Sequence, residues 1–427
     1  MITKRIASNN GFALIFTLLV VMLIALIIVT FSFIAYNELA ASEKITNSVR
    51  AYYCAEAGIA KKFMELRAGT VTDLVENFTI SGTKIGSYSV SVTLVSGGTF
   101  PTYRLTSVGT YKESTRTIVF TVRQTACSRF AYLSNDEDAY YWYGSQPIWF
   151  VTGDTIRGPL HTNDYLNISG NPVFQGSVST CASSINYYNG GPPNDNPVFE
   201  ESLSLGVSSV QLPTSTEIVT NIKTNAQATG GLYLTGNSKV VFLANGTMNV
   251  TNSDKGWNGQ NMALPTNGAI FVNSGYVDVS GVLSGNVTLG TSSSIYVVGN
   301  LLYNTDPRTN SSSTDMLGLV AQNNVYIGSE APYNVEVDAY IVALNTSFGV
   351  ENYDSELNGT LTLYGGITQY RRGAVGTFNG TTGAKVSGYT KDYNYDSRLQ
   401  NTAPLYFPPA KDSNNRIVYL KVSYSES

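Results

Sequence analysis

The sequence predicts a long N-terminal α-helix followed by a mainly β chain. Three observations lead there. A charge-free apolar run, Phe12–Tyr36, passes into an amphipathic helical pattern with no Gly or Pro before Gly58. Short segments of alternating apolar residues, divided by Gly, Asn and Ser, then recur to the C-terminus. Only 13% of the 427 residues are charged, while 39 are Gly and 29 are Tyr, which suits a β-rich body covered by hydroxyls and amides. The length implies two or three folded parts. A net charge of −4 argues against nucleic-acid binding, one His leaves little room for a multi-His metal site, and three Cys cannot form a disulfide framework. An apolar share of 43% is ample for a core and argues against disorder.

The elements follow in order. Residues 1–11 are a polar leader carrying Lys4 and Arg5. Residues 12–36 would reach about 37 Å as a helix, enough to span a bilayer with some tilt. With Lys4 and Arg5 before it and Glu38 and Glu43 after it, the charge bias keeps the N-terminus cytoplasmic and sends the body outside, in a single pass. The run is too long for a cleaved secretory signal, and its nearest small-residue site, Ala40-Ala41-Ser42, lies past Glu38. Residues 37–69 continue the helix: Ile45, Val49, Tyr52, Tyr53, Glu56, Ile59, Ala60, Phe63 and Arg67 fall at three- and four-residue steps, and Gly69 reads as its stop. One helix from Phe12 to Arg67 would be about 84 Å long.

The short basic leader ending in Gly11, then Phe12, then this helix, resembles the class III signal of type IV pilins and pseudopilins. The resemblance implies cleavage by a prepilin peptidase after Gly11 and N-methylation of Phe12. The start of the apolar run, with Ala55-Glu56-Ala57-Gly58-Ile59 some forty residues on, resembles the PilX-type minor pilins. Major pilins carry Glu at the fifth mature position, where this chain has Phe16. Lacking that carboxylate, the chain cannot neutralise a neighbouring subunit's terminal ammonium, and a buried uncompensated charge costs several kcal/mol. That favours a tip, initiating or low-copy position. Phe12, Phe16, Ala55, Glu56, Ala57 and Gly58 are the residues the resemblance assigns to assembly with other pilins, after residence in the inner membrane.

Residues 70–126 read as a small antiparallel sheet, the pilin head arrangement. Ser87–Val95 alternates, with Tyr88, Val90, Val92 and Leu94 on one face. Residues 127–229 are less regular. From residue 230 to 427, β segments recur every 8–12 residues or so, and resemble the rungs of a right-handed parallel β-helix. A β-sandwich is the rival, needing antiparallel hairpins, whose tightest signals are Asn245-Gly246 and Asn358-Gly359. Gly153–Ile168, Gly318–Gly328, Leu361–Phe378 and Gly388–Leu399 also resemble an uncharacterised domain found behind PilX-like N-termini.

Several residues are weighed for chemistry. Asp136, Glu137 and Asp138, beside Asn135, are hard oxygen ligands suited to Ca²⁺, against a solvated acidic turn. Tyr140, Tyr141, Trp142, Tyr143 and Trp149 can stack on a surface glycan or anchor a cell-surface protein, and can equally cap a β core. His161 reads as a base partnered by Asp154 or Asp164, or as a structural His bonded to a turn. Glu336, Asp338, Arg371 and Arg372 are the best candidates for a lyase constellation, although Arg371-Arg372 reads more simply as a surface cation pair. Cys127 and Cys181 can pair outside the cell, leaving Cys54 over, or stay as free thiols. The expected protein is a minor pilin or pseudopilin of a type IV pilus-like or type II secretion filament, without catalysis and without a cofactor. The alternatives are a membrane-anchored carbohydrate-active enzyme and a plain anchored scaffold.

Overall fold

The structure, a computed structural model, describes residues 10–97, 100–141, 144–380 and 384–427. A 58-residue helix, Asn10–Arg67, opens it, two residues earlier than the expected Phe12. Its apolar half keeps every aliphatic hydroxyl bonded: Thr17, Thr30 and Ser32 donate to the carbonyls of Ala13, Leu26 and Ile28 one turn back. The helix stops where the sequence indicates. Gly69 has φ +94°, its N–H donates to the Leu66 carbonyl, and the Thr70 N–H donates to the Glu65 carbonyl. This is a left-handed C-cap, a conformation that glycine adopts without a Cβ penalty.

The body is large and mostly β, and the chain divides into two units. The first comprises the residues up to Leu94, Tyr103–Val122 and Lys421–Ser427. It holds a five-stranded sheet in the order Leu74–Ile80, Thr83–Ser96, Thr102–Tyr111, Ser114–Gln124, Tyr419–Glu426. The last strand was not expected there: residues 230–427 do not form one domain, because the C-terminus returns to this sheet. Ser427 and Thr117 exchange both backbone hydrogen bonds. The alternation of Ser87–Val95 holds only in part, with Tyr88 and Val90 buried and Leu94 exposed.

The second unit, Val95–Thr102 with Arg123–Leu420, is dominated by parallel pairing. One column of neighbours runs Leu232–Thr235, Ala269–Asn273, Asn286–Thr291, Met316–Ala321, Val335–Ala343 and Leu357–Arg371. Tyr132–Asp136 pairs next, followed by Leu160–Thr162, Val178–Thr180 and Leu203–Ser204. In a second run, Lys385–Tyr395 lies between Leu357–Arg371 and Thr155–Arg157. Stacking order therefore differs from chain order. The region expected to be irregular, residues 127–229, contributes strands to the same pile and joins it beside its last strands in sequence. Those strands are two to five residues long, too short for their period to be read.

Register places like on like. Ile270, Leu289, Leu319, Ile341, Ile367, Tyr132, Leu160 and Val178 stand opposite one another in succession, all buried in one core. Each such side chain contributes about 1.5–3 kcal/mol of burial. A helix not expected from the sequence, Val219–Gln227, buries Val219, Ile222 and Ala226. Asn245-Gly246 does turn an antiparallel hairpin, between Ser238–Leu243 and Thr247–Asn252. Asn358-Gly359 lies inside the Leu357–Arg371 strand and turns nothing.

Candidate functional site

Two features carry functional weight, one in each unit. In the first unit the helix changes character along its length. From Phe12 to Leu39 every large apolar side chain is exposed, Phe12 by 77% and Phe16 by 61%. From Ala51 onward a stripe of Ala51, Cys54, Ala55, Ile59, Lys62 and Leu66 is buried. The motif expected to serve assembly is divided between two roles. Ala55 and Gly58 face the chain's own sheet: the Ser107 hydroxyl donates to the Ala55 carbonyl (2.8 Å), and a Cβ on Gly58 would lie 2.5 Å from Ser107 Oγ. Glu56 accepts from the Tyr52 hydroxyl (2.7 Å), and Ala57 is half-buried. Phe12 and Phe16 belong to the unpartnered half, and Gly11 lies in the helix backbone.

In the second unit a cavity of about 200 Å³ opens beside the junction where Thr155–Arg157 meets Lys385–Tyr395. Trp149, Phe378, Tyr389, Asp154, Lys385 and Lys391 are among its walls. The Trp149 wall is held from behind by Arg372, whose Nη1 donates to the Ile148 carbonyl and Nη2 to the Trp149 carbonyl. The Arg372 guanidinium lies 3.6 Å from the Phe150 ring centroid. Its charge is met by Glu137 at 2.8 Å, and the two side chains are 2% and 0% exposed. Glu137 also accepts from the Tyr132 and Ser134 hydroxyls. Arg372 is thus a buried structural cation and not the surface one expected. Burial alone would lower its pKa; Tyr132 and Glu137 raise it on balance.

The cavity's own charges are unequal. Lys391 donates to Asp154 at 2.6 Å, and burial lowers its pKa although Asp154 opposes the shift. Lys385 stands opposite Phe378 across an antiparallel hairpin. Its Nζ donates to the carbonyls of Asn358 (2.5 Å) and Gly359 (3.0 Å). Among the described residues no carboxylate lies within ion-pairing distance of it, and burial alone lowers its pKa. Trp149 extends outward through Tyr188 and Phe378, with ring centroids 5.1 Å and 5.8 Å apart along that chain.

The other candidates separate. Trp142 and Tyr143 lie outside the described residues, and Tyr140 and Tyr141 enter only as backbone of the strand Asp138–Tyr141. Among the expected metal ligands, Glu137 turns inward to Arg372, and Asp164 takes its place beside Asp136 and Asp138, with oxygens of the three within 4.8 Å of one another. Hard oxygens suit Ca²⁺, but these are already engaged: Asp164 accepts from the Glu137 N–H, Asp138 from Ser145, and Asp136 faces Arg371 at 3.5 Å. Burial, then repulsion from Asp164 and Asp138, raises the Asp136 pKa.

His161 is bonded at both ring nitrogens and meets neither Asp154 nor Asp164. Asn163 Oδ1 accepts from the Val210 N–H, so it is an oxygen, and His161 Nε2 must donate to it at 2.9 Å. Nδ1 then accepts from the Ser179 hydroxyl at 2.8 Å. With Nε2 protonated, the Cys181 thiol 3.9 Å away has no base. Of the two readings of Cys127 and Cys181, the structure has free thiols, and Cys54 is free as well. Cys127 is buried in the core, which pushes its thiol up to about 11. Glu336 and Asp338 gather around Arg308, at 2.7 Å and 3.7 Å, and not around Arg371 or Arg372, so the lyase constellation is not assembled. The sequence did not point to Arg308, Lys385 or Lys391; Arg308 has one partner nearby in Asp306, but Glu336 and the partners of both lysines are distant in sequence.

A long helix ahead of a mainly β body, with a walled cavity in that body, is what the chain presents. The family described as Domain of unknown function (DUF4900) matches residues 87–183, which include Gly153–Ile168 but not the other three segments that resemble an uncharacterised domain. The crystal structure of the competence-associated pilin ComZ from Thermus thermophilus is similar over 90% of this chain and 98% of that one, at 14% identity and a TM-score of 0.37. No curated protein matches the chain.

Proposed function

We propose that the chain is a low-copy, pilin-like subunit of a type IV pilus-like or type II secretion filament, with a large non-catalytic head for adhesion or subunit interaction. The observation that carries this reading is the exposed apolar half of the helix, Phe12–Leu39, continuous with a half that is packed on the chain's own sheet. Contiguous apolar surface of this extent requires a partner outside the chain. Lipid serves before assembly, with the N-terminus inside and the body outside, and identical or related helices serve afterwards. Gly11 and Phe12 are the processing residues in this reading, and Phe16 in place of Glu favours the tip. The repeated parallel registers support the second unit as a parallel β-helix, entered by the chain part-way along its length. The engaged nitrogens of His161 and the dispersal of Glu336, Asp338, Arg371 and Arg372 support a binding role over catalysis.

Mass spectrometry of the N-terminus, on protein recovered from the envelope and from sheared filaments, tests the proposal. N-methyl-Phe12 is the expected terminus, and Gly11→Val leaves the leader attached. A chain that begins at Met1 and is absent from the sheared fraction is a plain anchored scaffold.

A further inference from the structure

The cavity beside Trp149 joins a wider feature. A second groove of about 440 Å³ shares Tyr353 and Ala374 with it, and has Tyr296 and Tyr326 in its wall. Tyr296 and Tyr326 face each other across adjacent parallel strands, with ring centroids 5.8 Å apart, and Tyr276 continues the row at 5.7 Å. Tyr296 and Tyr326 are one strand apart, near the roughly 4.8 Å spacing of paired strands, whereas the residue in register with Tyr296 on the other side is Asp278, with Tyr276 just before that strand begins. The row leads through Tyr353 to Trp149, Phe378 and the 46%-exposed Tyr188. Rings in a line along a polar groove offer apolar faces beside hydroxyl and amide donors. That is the combination that holds a pyranose, whose two faces carry C–H bonds and whose rim carries hydroxyls.

Charge narrows the occupant. In the first cavity Asp154 and Lys391 cancel, so among its described lining residues Lys385 leaves one positive charge; the second groove adds Glu351 and Arg371, one of each sign, while its Arg372 is met by Glu137. The Lys385 ammonium has three N–H groups, of which two are given to backbone carbonyls. The third has no acceptor among the described residues and would go to an anion in the cavity. A carboxylate is the fitting acceptor, since a charge-assisted hydrogen bond is about twice as strong as a neutral one.

We propose that this cavity and the tyrosine row form a binding site for a linear uronic-acid-bearing glycan, with a sugar ring against Trp149 and Phe378 and its carboxylate on Lys385. The site does not depend on the filament reading, because binding by the purified chain is measured without assembly.

The test is calorimetric titration of the full chain in detergent micelles with three acidic hexasaccharides: galacturonate, mannuronate and hyaluronan. Methyl-esterified hexagalacturonate and hexaglutamate are the comparison probes. At least one acidic hexasaccharide binds with Kd below about 1 mM. Trp149→Ala weakens that binding about tenfold, and Lys385→Gln weakens it about tenfold while leaving the methyl ester unchanged. Thermal unfolding is recorded for both variants. If Trp149→Ala lowers the unfolding temperature, the acid-over-ester selectivity lost in Lys385→Gln decides. Failure of all three acidic probes to bind overturns the site, as does binding indifferent to both substitutions. Hexaglutamate binding equal to that of the best saccharide overturns the sugar assignment.

Discussion

In the first unit the closest approach is made by removing side chains. A Cβ on Gly109 would stand 2.2 Å from the Ala51 carbonyl oxygen and 2.3 Å from the Ala55 nitrogen, so helix and strand touch backbone to backbone. In the second unit two strand junctions are made by burying charge: Glu137 against Arg372 where Tyr132–Asp136 meets Leu357–Arg371, and Asp154 against Lys391 where Thr155–Arg157 meets Lys385–Tyr395. The two solutions differ in what they tolerate. Small residues allow one spacing and resist any added atom. A buried ion pair resists loss of either member, because the survivor is left charged in a poor solvent.

The largest effect follows from that contrast. Arg372→Met leaves Glu137 with only the Tyr132 and Ser134 hydroxyls and releases the carbonyls of Ile148 and Trp149. It lowers unfolding stability in urea by about 3–5 kcal/mol. Adding Glu137→Gln recovers most of the loss, since the orphaned charge goes with it. A double variant as unstable as the single one would make the pair incidental. Next comes Gly109→Val, at about 3 kcal/mol, because the atoms it strikes are backbone and cannot rotate away. Gly97→Val, with nothing within 4 Å among the described residues, stays within about 0.5 kcal/mol.

A smaller effect tests whether buried charge in the second unit always has a full partner. Asp338 is 1% exposed; its Oδ2 accepts from the Tyr303 N–H, while Oδ1 makes no hydrogen bond among the described residues. Arg308 Nη2 stands 3.7 Å off, and Glu336 and Asp306 repel it. Burial pushes the carboxyl up to about 6. The unfolded value is about 3.9, so the folded chain holds the extra proton between roughly pH 4 and pH 6. Its contribution to stability is full below pH 4 and is lost as pH rises through 6. Asp338→Asn flattens that decline and leaves the variant about 2 kcal/mol more stable than the parent at pH 7, read from urea midpoints across the pH range.

How far each region could be read from sequence follows the same division. The helix, its Gly69 stop and its change of character from residue 37 on were legible, because a 25-residue apolar run continued without a break by a 3.6-residue period has no competing explanation. That Ala55 and Gly58 face the chain's own sheet was not, because a small residue marks a close approach without naming the neighbour. The β character beyond residue 230 was legible from alternation. The membership of Leu160–Thr162 or Val173–Phe174 in the same stack was not, since two or three residues carry no period. Trp149 was singled out as a ring able to bind a ligand. Lys385 and Lys391 passed unnoticed, because their partners lie 27 and 237 residues away in sequence and only pairing register unites them.

The smallest expected change in stability bears most on what the exposed half-helix is for. Leu19 is 61% exposed and touches nothing that holds the body together. Leu19→Ala therefore leaves the unfolding of the detergent-solubilised chain within about 0.5 kcal/mol of the parent. Membrane recovery is also unchanged, because one Leu among so many apolar residues hardly alters transfer into lipid. Packing among other helices is different. There a truncated Leu leaves a cavity, at about 2–5 kcal/mol in each subunit contact, and the fraction of the chain recovered in sheared filaments falls. Loss from filaments without loss from membranes distinguishes a surface shaped for other helices from one that only dissolves in lipid. Equal recovery in both fractions would mean that lipid is its lasting environment.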